Sequence, residues 1–279
     1  MTESDWNRCT DPAVMLDSLG GGKRHWLTWL RPYWARPSDR KPRLFVVGCC
    51  RRIWHLFGDE RSRAAIEVAE RYVDGLAGEA ELKAARKGAA AALEDAEALT
   101  RTKRNAGWDE CFPAALAKPR VAQARAAFLA TVRGEWQAAA LAAAEAAAAE
   151  PARESLFWEL QREMTDAVIK YAEAEGVKAR EREWQCTLLR DLFGPLAFRA
   201  VRIAPSALAW NDGCIVRLAR AAYGERSLPD GTLDRARLAV LADAFEEAGC
   251  ADEEILRHLR GPGPHVRGCW VVDLLLGKS

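Results

Sequence analysis

Residues 78 to 186 constrain the fold more than any other part of the chain. They are dominated by alanine, as in KAARKGAAAALEDAEAL and WQAAALAAAEAAAAE. Alanine is the strongest intrinsic helix former, because its side chain loses no rotamer entropy on folding. Sparse larger residues keep a helical stripe: Phe128, Val132 and Trp136, then Leu156, Leu160, Met164, Val168 and Tyr171. Pro119 and Pro151 stand where new helices would begin, since proline is tolerated at the first helical position. The pattern predicts two antiparallel helices of roughly 30 residues, each on the order of 45 Å long. Small alanine faces would let them pack closely. They would form a plain structural hairpin or a projecting arm that presents a face to a partner.

The flanking regions also read as helix. Asp11 as N-cap and Pro12 at the first position start a short helix that ends before Gly20. A Trp-rich connection over 25–34, punctuated by Pro32 and Pro37, leads to a helix from Ser38 or Asp39 to about Phe57. RLFVVGCC alone has strand composition. Its continuation, with Gly48, Arg51, Arg52, His55 and Asp59 as a polar stripe at helical spacing, decides for helix. A third helix is expected near 60–76. Beyond Cys186, LLRDLFG closes a helix at Gly194-Pro195, and Asn211 or Asp212 caps another through Tyr223. Leu233 to Ala248 form the next, and Asp252 caps a short one to Arg260. Gly261-Pro262-Gly263-Pro264 then breaks the chain. The last helix is expected to start at Pro264 and run through HVRGCWVVDLLLG to Gly277. The expected fold is all-α, with a globular base built from both chain ends (1–77 and 187–279) and the alanine-rich arm (78–186) between them. Without strand–helix alternation, the usual α/β enzyme folds are excluded.

Charge and composition narrow the function. A formal net charge of +1 argues against a dedicated nucleic-acid or membrane-surface binder. No apolar run reaches the roughly 18 to 20 residues of a membrane span. The polar start MTESDWNRCTD is not a signal peptide, which implies a cytoplasmic location. The eight cysteines are therefore expected as reduced, mostly buried thiols rather than disulfides. The eleven tryptophans are expected to anchor helix packing.

Three blocks carry chemistry. In CCRRIWH, Arg51, Arg52 and His55 share a helix face that reads first as a solvated or salt-bridged surface and alternatively as an anion-binding stripe. Near the C-terminus, Cys250, His258, His265 and Cys269 read first as two buried small thiols, one exposed histidine and one histidine capping a turn; the alternative is that they supply two thiolates and two imidazoles, the donor set of a tetrahedral zinc shell. Their spacing, C-x7-H-x6-H-x3-C, is no standard finger pattern, and two of its intervals cross the proline-rich turn. On the expected last helix, His265, Cys269 and Asp273 fall four apart on one face. Asp273 lies inside the apolar run WVVDLLL, where a carboxylate is costly unless paired. Arg51, Arg52, Arg257 and Arg267 are the candidate partners. A Cys/His/Asp set also suggests nucleophilic catalysis, but such sets usually draw on different elements around a pocket. The P-loop, G-x-G-x-x-G, H-E-x-x-H and G-x-S-x-G motifs are all missing.

The blocks CCRRIWHLFGDERSRAAIEVAERYVDGL and LADAFEEAGCADEEILRHLRGPGPHVRGCWVVDLLLGK resemble those of a large uncharacterised family of bacterial paralogues. Its members resemble this chain in having two characteristic end blocks around an alanine-rich middle of variable length. The resemblance spans most of the chain, with HVRGCWVVDLLLGK its most specific part. The Trp-rich stretch 25–34 departs from it as an insertion. The resemblance implies no activity and no catalytic residue, and a middle of variable length suits a spacer. The expected function is a non-enzymatic protein-interaction or scaffold module. The alternative is a metal-binding or thiol-based regulator using the C-terminal Cys/His cluster.

Overall fold

The computed structural model describes residues 1–21, 40–102, 120–132, 136–148 and 164–278. The fold is all-α. Twelve α-helices are described: α1 Glu3–Arg8, α2 Pro12–Leu16, α3 Arg40–Arg52, α4 Glu60–Val73, α5 Glu79–Thr102, α6 over 120–130, α7 Trp136–Ala147, α8 Met164–Phe193, α9 Pro205–Gly224, α10 Arg235–Glu247, α11 Glu253–Arg260 and α12 Trp270–Leu276. Among the described residues the sole sheet is a two-stranded hairpin, β1 Arg226–Ser227 and β2 Thr232–Leu233. None of the described helices is long and apolar enough to cross a membrane. The chain divides into two compact units, one formed by Met1–Gly48 with Cys186–Ser279, the other by Cys49–Gln185. The Trp-rich stretch 25–34, Cys111, Pro119, Pro151 and the stripe from Leu156 to Leu160 lie outside the described residues.

The first unit joins both chain ends. Thr2 and Asp5 close a capping box at α1, with backbone-to-side-chain bonds of 2.9 and 3.1 Å. Asp11 caps α2, and Pro12 takes its first position. Arg190 of α8 donates to the Trp6 and Cys9 carbonyls at 3.0 and 2.5 Å, satisfying the open end of α1. Trp6 is buried with its ring edge-on to Phe193 and Phe198. The first three turns of α3 bury Leu44, Phe45, Val46 and Val47, and the end of α8 buries Leu188, Leu189 and Leu192. The C-terminal helices close a core of Leu238, Leu241, Phe245, Ile255, Leu259, Trp270 and Val272. A glycine is required at 194, where φ is +46° and a Cβ would meet the Trp270 ring at 2.5 Å.

Several expected boundaries move. The second helix stops at Arg52 and gives way to a 3₁₀ turn, Trp54–Leu56, so Arg51, Arg52 and His55 do not share one helix face. Residues 210–213 break α9, with Asn211, Asp212 and Gly213 all left-handed (φ +46°, +54° and +73°). The helix expected from Pro264 begins only at Trp270. Gly268 has φ +96°, and Val266 bridges Thr232 of β2, so 265–269 cannot be helical. His265 is therefore not on a helix face with Cys269 and Asp273.

The second unit holds the alanine-rich segment. Helix α4 packs along α5. Ala89, Ala126, Ala127, Ala130, Ala139, Ala143, Ala144 and Ala146 are fully buried. The expectation of one helix from about 120 to 150 is corrected, because α6 ends at a turn over 131–132. The Thr131 hydroxyl donates to Phe128 O at 2.6 Å, and Arg86 of α5 donates to Thr131 O at 2.6 Å. That guanidinium takes up a carbonyl the helix would otherwise use to continue. Gln185 of α8 donates to Ala140 O at 2.9 Å within the same unit.

Candidate metal centre

Three of the four C-terminal donors converge, and Asp191 joins them. The ligand atoms of Asp191, His258, His265 and Cys269 all lie within 4.8 Å of one another. Asp191 comes from the last turn of α8, His258 from the last turn of α11, and His265 and Cys269 from the connection into α12. All four belong to the first unit. Asp191 Oδ1 lies 2.8 Å from His265 Nδ1 and 3.1 Å from His258 Nε2. The same His258 Nε2 lies 3.2 Å from Cys269 Sγ. The site is largely buried: the Asp191 and His265 side chains are each 3% exposed, while that of His258 is 18% exposed.

Local structure explains the convergence. Asp252 caps α11 through Glu254 N and Ile255 N, which fixes the register that carries His258 inward. The His258 ring packs edge-on to His265, with centroids 4.9 Å apart, and 5.2 Å from the Trp270 ring. The His265 strip is held by β2, since Leu233 N donates to His265 O at 2.7 Å. Val266 N donates to Asp191 Oδ2 at 3.0 Å. Asp191 thus has one oxygen tied to backbone and one turned into the cluster. His265 Nδ1 donates to Asp191, and its Nε2 lies 3.4 Å from Gly261 O, so a proton on Nε2 would keep a partner if a metal took the place of the Nδ1 proton.

Charge follows the geometry. Burial alone would raise the Asp191 pKa, but hydrogen bonds from His258 and His265, with their charges, bring it down to about 2. Burial works against His265 imidazolium, yet the Asp191 hydrogen bond and charge carry its pKa above the ordinary value. Burial, followed by the Asp191 charge, pushes the Cys269 thiol far up, while the Val271 and Val272 amides act in the opposite sense. A buried cysteine in this state stays protonated unless a cation takes its proton's place.

The arrangement does not form a Cys–His–Asp relay. In such a relay one imidazole nitrogen faces the nucleophile and the other faces the carboxylate. Here one nitrogen of His258 faces both Cys269 and Asp191. Convergence on a common point suits a cation better than a proton relay.

The other predicted residues lie elsewhere. Cys250 is half-buried at the end of α10, with its amide on Phe245 O, and the convergent group has Asp191 in the place the sequence pattern assigned to it. Asp273 is buried and paired, but not with the arginines expected. Arg40 grips it with both nitrogens, at 2.5 and 3.2 Å, and Lys41 Nζ lies 3.7 Å away. Within the second unit, Arg51 pairs with Glu70 at 2.8 Å and stacks on Trp54. Arg52 pairs there with Glu181 at 2.7 Å and stacks on Trp184. Arg257 reaches Glu253, and Arg267 donates to Tyr223 O. His55 is exposed. The seven described cysteines are free thiols, and Cys49, Cys50, Cys186 and Cys269 are buried.

Asp191, Arg40 and Lys41 escaped the sequence reading. Asp191 carried a signal, a carboxylate inside LLRDLFG, of the same kind that drew attention to Asp273. Comparison with protein-family models, curated proteins and solved structures finds no match.

Proposed function

We propose that the chain is a zinc-binding protein, with one ion held by Asp191, His258, His265 and Cys269 as a structural clasp. The observation that supports this is the meeting of one oxygen, two nitrogens and one sulfur at a single buried point. Zinc takes four such donors at about 2.0 to 2.3 Å, which sets tetrahedral edges of roughly 3.3 to 3.6 Å. The closest pairs, at 2.8, 3.1 and 3.2 Å, need to open by only a few tenths of an ångström, and the wider pairs, up to 4.8 Å, need to close by about 1 Å. Softer thiolate-rich sets favour copper(I) or iron–sulfur clusters, and all-oxygen sets favour magnesium or calcium. A mixed set with one thiolate lies between them and suits zinc. With four protein donors around one ion no coordination position is left for substrate, so the metal would hold the fold rather than do chemistry. On this reading the chain is a non-enzymatic module, and a protein partner would engage a surface outside the centre.

The test is native mass spectrometry of reduced, freshly purified full-length protein, with and without chelator. The expected result is one zinc per chain, lost in Asp191→Ala and His265→Ala and retained in Cys250→Ala. Metal-free masses throughout, with a melting temperature indifferent to added zinc, would overturn the proposal.

A further inference from the structure

Taking the zinc centre as its premise, the geometry points to Lys41 as a positioning residue of that centre, binding together the two backbone segments that deliver Asp191 and Cys269. Lys41 is buried in the first turn of α3. Its ammonium donates to Leu192 O at 2.5 Å and to Gly268 O at 3.4 Å. The first carbonyl follows Asp191 and the second precedes Cys269. These two segments lie far apart in sequence, and one side chain spans them. Leu192 lies in the last turn of α8, where carbonyls have no partner within the helix, so the lysine fills a vacancy every helix end leaves.

Packing reinforces the same link. Lys41, Leu44 and Gly48 lie on one face of α3 at helical spacing. A Cβ on Gly268 would meet Leu44 Cδ1 at 2.7 Å and Leu192 Cδ2 at 2.8 Å, so this turn is seated directly between α3 and α8. A Cβ on Gly48 would meet Leu188 at 2.8 Å, which seats α3 against the same helix one turn earlier. Asp273, the nearest carboxylate to Lys41, is already gripped by Arg40, and the ammonium also lies in the field of the Asp191 carboxylate. Lys41 thereby aligns an oxygen donor and a sulfur donor and supports the thiolate electrostatically. Metal loading and the seating of residues 40–48 become one coupled event, and coupling of this kind is reciprocal.

The experiment is a cobalt(II) titration of chelator-stripped, reduced, full-length protein, read by the thiolate-to-cobalt charge-transfer and visible d–d bands. Wild type, Lys41→Met, Lys41→Gln and Lys41→Arg are compared. The Met variant is expected to lose about 10- to 100-fold in cobalt affinity, the usual effect of removing an outer-shell partner, and to show altered band positions. Arg retains a donor and should recover much of the affinity. Gln serves the same comparison if the Met variant does not fold. Hydrogen exchange over 40–48 should slow when metal is added to wild type, and respond less in the Met or Gln variant. If wild type binds no cobalt and no zinc, the metal reading itself fails. If wild type binds and the folded variants match it in affinity and spectrum, Lys41 has no role in the centre while the centre stands.

Discussion

Replacing Asp273 with Asn should destabilise the chain by about 3 kcal/mol, because it takes the buried carboxylate away from a largely buried guanidinium. Asp273 is 1% exposed, and Arg40 and Lys41 are 11% and 10% exposed at the side chain. Asn preserves the shape and one acceptor but removes the charge. Lys41 can respond by giving up its proton, since burial already lowers its pKa against the pull of Asp273. Arg40 cannot, because arginine holds its proton at any accessible pH. Breaking a buried pair typically costs about 3 to 5 kcal/mol. The lower end applies here, because Arg40 keeps a bond to the Tyr223 hydroxyl at 2.8 Å. Urea is the denaturant of choice, being uncharged, with unfolding followed by far-UV circular dichroism at fixed zinc concentration. Adding Arg40→Met to Asp273→Asn should recover a large part of the loss, since removing both partners of a buried pair is often close to neutral. A single-variant cost below about 1 kcal/mol, the level of an exposed pair, would refute the reasoning, as would failure of Arg40→Met to relieve it.

Other consequences concern pH, glycine geometry and the alanine interior. In chelated protein, the Asp191 contribution is present above its ordinary pKa of 3.8 and fades as pH falls toward about 2. The His265 contribution is complete below 6.5 and fades as pH rises through its raised value. Zinc reverses the upper limb, because it needs neutral imidazoles and a thiolate. The melting-temperature difference between zinc-loaded and chelated protein should therefore be small near pH 5 and large near pH 8, and calorimetry showing the opposite trend would sink the assignment. Gly194→Ala, with a left-handed φ and the Trp270 ring in its way, should cost about 2 to 4 kcal/mol. Gly277→Ala, left-handed in open space, should cost only about 1 kcal/mol; equal losses in urea would contradict the close approach at 194. Ala143→Leu should cost about 1 to 3 kcal/mol by overpacking a fully buried position. A cost-free substitution there would favour an alanine face displayed to a partner.

How much was legible in the sequence depended on how local each cause was. Asp252 capping α11, Asp11 and Pro12 starting α2, and Gly277 ending α12 are each decided within four residues, and the structure has all three where the pattern puts them. The start of the last helix was misplaced because its deciding feature is tertiary. Val266 pairs with a strand more than 30 residues earlier, and Gly268 must be left-handed to fit between Leu44 and Leu192. The burial of Asp273 followed from its apolar neighbours, but its partner did not. The polar stripe drew attention to Arg51 and Arg52, whereas the pairing residues occupy the first turn of α3. Alanine composition announces helix and is silent about packing direction, so the break at 131–132 and the buried faces of the second unit are not visible in it.

The hardest residue to foresee, Asp191, is also the one that gives the centre its mechanical meaning. It is 74 residues from His265, so an ion bound to both closes a long loop. In a chain-entropy account, cross-linking a loop of that length removes about 4 kcal/mol of unfolded-state freedom, an amount comparable with a substantial part of a domain's net stability. A zinc ion bound by Cys250, His258, His265 and Cys269 would close a loop of about 20 residues and save roughly 1 kcal/mol less on the same logarithmic scale. On the proposed ligand set, the exchange of a nearby cysteine for a distant carboxylate would change what a metal is for. It would become a tie between α8 and the C-terminal segment rather than a staple within the latter. Under the same proposal Lys41 would extend that tie to α3, so one buried point would gather α3, the end of α8 and the C-terminal segment within the first unit. If so, chelation should loosen the whole unit cooperatively, and hydrogen exchange should rise together over 40–48, 186–193 and 255–276. A rise confined to 255–276 would reduce the centre to a local staple and remove Asp191 from the ligand set.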